Sequence, residues 1–224
     1  MIDRLPRWVW TGAWALAFIA GMINVVGLLG FQHQAVSHLT GTTSLLGAAL
    51  GRLDGPATLH FLAVIGAFVA GTAISGYIIG DSTLQLGRRY GVALGLESLL
   101  LACAVPLLNR QNNFGDYFAS CACGLQNAMA STYSGSVVRT THLSGMFTDL
   151  GIFLGHTLRG HRVDTRRLRL CFIVISGFLV GGVAGGVAFP RLGYGTLFIP
   201  AFFTGLAAAA YTVGQLRSRP RASA

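Results

Sequence analysis

Four long stretches of this chain contain no Asp, Glu, Lys or Arg: between Arg7 and Arg52, Asp54 and Asp81, Arg169 and Arg191, and Arg191 and Arg217. A hydrocarbon core of ~30 Å is crossed by about 20 apolar residues in a helix, and each stretch is long enough. Lipid offers no partner to a free backbone N–H or C=O, so a crossing segment must close its own pairing. The pattern predicts an all-α protein, a polytopic transmembrane helical bundle. Composition agrees, with 53% of the 224 residues apolar and 10% charged, against about 25% charged in soluble domains. An ordinary soluble globule is excluded.

The net charge of +9 comes from 16 basic residues, all of them Arg, against seven acidic ones. Nucleic acid is not the partner this distribution suggests. The Arg residues sit at the ends of apolar runs and in a cluster from Arg159 to Arg169, which is how membrane helices are oriented. Cys103, Cys121, Cys123 and Cys171 lie in apolar runs without Cys-x-x-Cys spacing, so they read as small buried hydrophobes. Arg4 and Arg7 before an apolar stretch mimic a signal peptide. That stretch runs on to Phe31, and Trp8, Trp10 and Trp14 suit an interfacial belt, so a retained first helix is expected.

Periodicity and breakers predict helices at about 8–31, 58–80, 89–109, 115–135, 170–189 and 195–215. Two weaker segments, 37–51 and 141–155, are polar in their first halves and apolar only in their second. A full crossing would bury several hydroxyls and a His, so short broken or re-entrant helices are expected.

Superposing His38 on His142 also matches Leu39/Leu143, Gly41/Gly145, Leu46/Leu150, Gly47/Gly151, Leu50/Leu154 and Gly51/Gly155, with hydroxyls kept at Thr40/Ser144 and Ser44/Thr148. The match extends back to Gly21/Gly124 and Asn24/Asn127, and forward to Gly66/Gly177, Val69/Val180 and Gly71/Gly182. An internal repeat decides architecture before anything else, and the copies are 1–110 and 111–224. Three spans per copy is odd, which inverts the second copy and gives an internal inverted repeat. Six spans with both termini cytoplasmic leave only Arg52, Arg110 and Arg191 outside. If the short segments cross fully, eight spans and parallel repeats result, with Arg88, Arg89, Arg139 and Arg191 outside. The polarity of the short segments favours six. Glycines spaced by four, at Gly47/Gly51, Gly151/Gly155, Gly87/Gly91/Gly95 and Gly177/Gly181/Gly185, predict close helix packing.

A helix over 40–51 rises ~18 Å, about half the membrane. It would present free N–H groups and the hydroxyls of Thr40, Thr42 and Thr43 near the midplane, and Ser144 would do so from the other side. Two positive helix ends would then meet, favouring anionic or strongly dipolar groups, and Arg139 has the same sign. The alternative is that the hydroxyls only cap broken helices.

The candidate substrate-binding residues are Asn24, His38, Thr40, Gly41, Asn127, Arg139, His142, Ser144 and Gly145. Either Asn could instead tie helices together. Glu97 and Asp149 are intramembrane carboxylates, candidates for proton or charge coupling, with Arg139 as a partner for either. An unpaired Glu97 could carry a proton. His33, His60, His156 and His161 receive no role, and no metal or cofactor spacing is present.

These residues resemble the YoaK family of bacterial inner-membrane proteins. The resemblance rests on Gly21 and Asn24, Ser37-His38-Leu39-Thr40-Gly41-Thr42-Thr43, Gly124-Leu125-Gln126-Asn127-Ala128, and Thr140-Thr141-His142-Leu143-Ser144-Gly145 with Thr148-Asp149-Leu150-Gly151. Family members often carry Thr-Gly-Asn at the first element and Thr-Gly at the second; here Thr42 stands for that Asn and Ser144 for the Thr. The resemblance implies a multi-pass protein of the bacterial inner (plasma) membrane with six or seven spans, its biochemical function open.

The expected function is a transporter or channel, not an enzyme, for a small neutral or anionic solute at the interface of the copies. Its partners are the lipid bilayer and that small-molecule solute, and a homo-oligomer is compatible with the sequence. Two other classes compete. One is a non-transporting scaffold, supported by the glycine-rich faces and the basic stretch 159–169. The other is an intramembrane hydrolase built on Ser136 and His142.

Overall fold

Residues 7–80, 88–134 and 139–217 are described in a computed structural model, and over them the chain forms eight α-helices and no strand. These are α1 (Arg7–Leu29), α2 (Leu39–Gly51), α3 (Gly55–Ile79), α4 (Arg88–Asn109), α5 (Phe114–Ser134), α6 (Leu143–Leu158), α7 (Thr165–Leu192) and α8 (Phe198–Arg217), with a 3-10 turn, Gly193–Leu197, between the last two. Ser136, on which the hydrolase reading depends, lies outside the described residues, as do Arg4, Gly87, Arg219 and Arg221.

Local chemistry sets several boundaries. Asp54 accepts from the Ala57 N–H at the start of α3, and Asp164 accepts from the Arg166 and Arg167 N–H groups at the start of α7. A carboxylate at this position satisfies N–H groups that have no intrahelical acceptor. Asp164 thereby starts α7 at Thr165, ahead of the expected 170, so Arg166, Arg167 and Arg169 are helical and the basic stretch is only partly a loop. Arg169 lies over the Trp10 ring at 5.6 Å.

Among the described residues, four stretches are long and apolar enough to cross a membrane: Val9–Leu29, Gly55–Ile79, Arg89–Asn109 and Thr165–Val213, the last covering α7, the turn and most of α8. Helix α5 is different. It carries Asp116, Ser120, Gln126 and Asn127, and most of its residues are buried by its neighbours. Its polar groups are sheltered by protein, so its sequence need not be lipid-like.

Helix directions follow from the contacts. Trp14 meets Gly177 and Met22 meets Gly185, so α1 and α7 run the same way. Along α3 and α5, His60 meets Tyr117, the Ser120 hydroxyl donates to the Val64 carbonyl and Phe68 meets Gly124, again in one direction. Helix α4 runs against α8, with Gly91 beside Tyr211 and the Ser98 hydroxyl donating to the Ala201 carbonyl. The turns at 52–54, 110–113 and 193–197 therefore lie at one end of the bundle and 159–164 at the other. Helix α2 climbs toward the first end and folds back into α3, while α6 descends toward the second and folds back into α7.

The tightest crossings pair α1 with α7 and α3 with α5. A Cβ on Gly21 would fall on the Phe178 carbonyl, and one on Gly181 on the Phe18 carbonyl; Gly124 stands likewise to Phe68, and Gly71 to Cys121. Gly177, Gly181 and Gly185 form a ladder against the carbonyls of Trp14, Phe18 and Met22. This is the close approach that small residues permit.

Two expectations are corrected here. The crossing makes Gly71 equivalent to Gly181 and Phe68 to Phe178, one residue from the sequence alignment that paired Gly71 with Gly182, because two glycines stand side by side there. A Cβ added at Gly47, Gly51, Gly151 or Gly155 would meet nothing within 4 Å beyond its own stretch of helix, whereas the sequence predicts close packing there. The reason is that α2 packs chiefly on α3 and α6 on α7, with those glycines turned away.

Candidate solute site

Phe31 and Gln32 follow α1 at the first end of the bundle, where the Phe31 N–H donates to the Tyr194 hydroxyl at 2.6 Å and the Gln32 amide to Asn113 at 2.7 Å. The chain then turns back inward. Asn24 of α1 clamps Ser37 from both sides, its amide donating to the hydroxyl at 2.6 Å and its oxygen accepting the Ser37 N–H at 3.1 Å. The clamp holds His38 at the depth of Asn24, and α2 starts at the next residue.

Further bonds hold this connection. The Ser120 hydroxyl faces the Val36 carbonyl at 3.1 Å. The Gln34 amide donates to Thr42 at 3.0 Å, its oxygen pairs with His60 at 3.2 Å, and His60 reaches the Tyr117 hydroxyl at 3.3 Å. His60, left without a role by the sequence, is thus buried in a network joining α2, α3 and α5. The signal that could have found it is the pairing of three polar residues with apolar positions in the other copy, where Met146 stands for Thr42.

His142 matches His38 in backbone, with φ −96° and ψ 58° against −90° and 71°. Neither helix end has a side-chain cap. The hydroxyls of Thr42, Thr43, Ser44 and Thr148 instead bond back to the carbonyls one turn earlier. Capping is therefore not their role. Among the described residues, the first-turn N–H groups of Leu39, Thr40 and Gly41, and of Leu143, Ser144 and Gly145, have no protein acceptor. Each His ring lies over the glycine three residues on. A Cβ at Gly41 would stand 2.6 Å from His38 Nδ1, and one at Gly145 2.9 Å from His142 Cε1.

Both helix starts open on one cavity of about 430 Å³. Asn24 and Asn127, Ser37 and Thr141, His38 and His142, Leu39 and Leu143, Thr40 and Ser144, and Phe68 and Phe178 all line it, matching pairs from the two halves. Arg139 lines it as well, opposite in the alignment to Ala35, and is the sole formal charge on the wall among the described residues. Seven of the nine candidate binding residues are on this wall; Gly41 and Gly145 lie beneath the His rings instead. Thr42, expected to face the solute, is turned inward to Gln34.

The carboxylates are elsewhere. Glu97 is fully buried on α4 with both oxygens unpartnered, and it does not line the cavity. Asp149 is half-buried on α6, away from the wall. Glu97 is not paired with Arg139, the partner that the sequence suggested, and no ion pair joins Asp149 to Arg139 among the described residues. No group of three or more metal-ligating side chains is found among the described residues.

The fold and this cavity define a class: all-α membrane proteins in which two short helices begin at one shared cavity. A family model described as Protein of unknown function (DUF1275) matches residues 12–210, and the chain belongs to that family, which includes the YoaK proteins. No curated protein and no solved structure matches the chain.

Proposed function

We propose that the protein is a transporter or channel of the bacterial inner membrane for a small neutral or anionic solute, bound in the cavity between the starts of α2 and α6. The chain is read as six spans in two inverted copies, with both termini cytoplasmic and the short helices re-entrant. One observation carries this reading: matching residues from both halves, on helices leaving in opposite directions, line a single cavity that gathers amides, hydroxyls, both His rings and Arg139 between apolar side chains. Discontinuous helices meeting at the repeat interface are where such proteins bind their cargo, with positive helix ends aimed at anionic groups. The shared direction of α1 with α7 and of α3 with α5 supports the inverted arrangement, and the Arg residues at 159–169 fit a cytoplasmic loop in either span count.

The test is flux in proteoliposomes. Purified protein should admit small polar solutes into vesicles, and Arg139→Gln or Ser144→Val should reduce the rate. Vesicles that remain as tight as protein-free ones across a panel of neutral and anionic metabolites would refute the reading.

A further inference from the structure

The two walls of the cavity match in sequence and differ in what their polar groups do. On the first wall the Asn24 amide is spent on Ser37 through both of its atoms. On the second wall Asn127 makes no such clamp on Thr141, and its Oδ1 is buried with no partner. Thr140, beside Arg139 and Thr141 of the wall, is fully buried with its hydroxyl oxygen also unpartnered. A buried acceptor left open costs about 1–3 kcal/mol, so it persists where something else completes it. Arg139, the one cation of the cavity among the described residues, stands on this same wall, where its counterpart is Ala35.

We propose that the second half of the cavity is the binding half, and that its ligand is a small organic anion carrying a hydrogen-bond donor. The Arg139 guanidinium takes the negative charge, with the open N–H groups at the start of α6 beside it, and Asn127 Oδ1 accepts from the donor. The first half has open N–H groups at the start of α2 but no free amide beside them, because Asn24 and Ser37 bond each other, and behind them Gln34 bonds Thr42 and His60. A cation is disfavoured by Arg139, since among the described residues no carboxylate is on the wall. This inference rests on the transport reading for the role of the cavity, and it narrows the solute from neutral or anionic to anionic with a donor.

Three probes of one size separate the terms: L-lactate has charge and hydroxyl, propionate lacks the hydroxyl, and lactamide lacks the charge. Binding to the purified full-length protein, read by calorimetry, should rank lactate first, with the others at least about tenfold weaker, the ratio that ~1.4 kcal/mol gives. Arg139→Gln should bring lactate down to the level of lactamide, and Arg139→Lys should recover part of the loss. Asn127→Leu should bring lactate down to the level of propionate. Lactamide binding as tightly as lactate, Arg139→Gln leaving the ranking unchanged, or no lactate binding at millimolar concentration overturns the inference. Glycerol-driven swelling of proteoliposomes tells the two failures apart: swelling without lactate binding leaves the transport reading standing, and neither result removes both.

Discussion

Gly21 of α1 lies against the backbone carbonyl of Phe178 in α7, so close that the helices meet main chain to main chain. Gly124 of α5 meets Phe68 of α3 in the same way. Both Gly21→Ala and Gly124→Ala should therefore destabilise the bundle, each by about 1–3 kcal/mol or more, the cost of overpacking a site that cannot give. Gly12, with open space around it, is the control, and Gly12→Ala should stay within ~0.5 kcal/mol. Unfolding in detergent micelles would measure all three.

Gly41 and Gly145 predict the opposite balance. There a methyl meets the end of a His ring, which can swing away, and Ala favours a helix over Gly by about 1 kcal/mol. Gly41→Ala and Gly145→Ala should leave stability equal or slightly raised while lowering solute flux, because the displaced ring enters the cavity. A loss of stability in proportion to flux would show that the His position is structural.

The two Asn residues should separate as well. Asn24→Ala strips Ser37 of both bonds and should cost ~1–3 kcal/mol. Asn127→Ala removes an amide oxygen with no protein partner and should change stability by less than ~0.5 kcal/mol. Denaturation of the two variants side by side, with solute binding as the second readout, checks this.

Glu97 has no partner for a charge in its apolar surroundings. Glu97→Gln keeps the shape and removes the titrating proton, so the variant should be at least as stable as wild type. If Glu97 couples a proton to transport, flux through the variant should no longer respond to pH, whereas wild-type flux does. Identical pH profiles would end that role.

Topology is checked by labelling single cysteines in a background lacking the four native ones. In the six-span reading a cysteine at Asn112 is reached from outside the cell and one at Gly160 from the cytoplasm. Eight spans would bring Asn112 to the cytoplasmic face.

The two short helices were legible because the apolar pattern is interrupted twice at matching places. A polar first half costs too much in lipid, so His38 and His142 mark helix starts in the sequence as they do in the fold. The pairing of Asn24 with Asn127 was legible in the same way. Their division of labour was not, since it depends on whether Ser37 or Thr141 comes within ~3 Å, the reach of a hydrogen bond, and neighbouring residues in the chain do not decide that. His60 escaped notice for a similar reason: its partners Gln34 and Tyr117 come from other segments.

What the residue order determined by itself is the set of segments that must be helical and apolar and the interruptions among them, because each is a matter of local backbone pairing and solvent. Which glycines touch, where Arg139 faces, and that Glu97 stands apart from it were decided only when the helices crossed. Those relations join residues far apart in the chain, and the register of a crossing is set by packing on all sides at once.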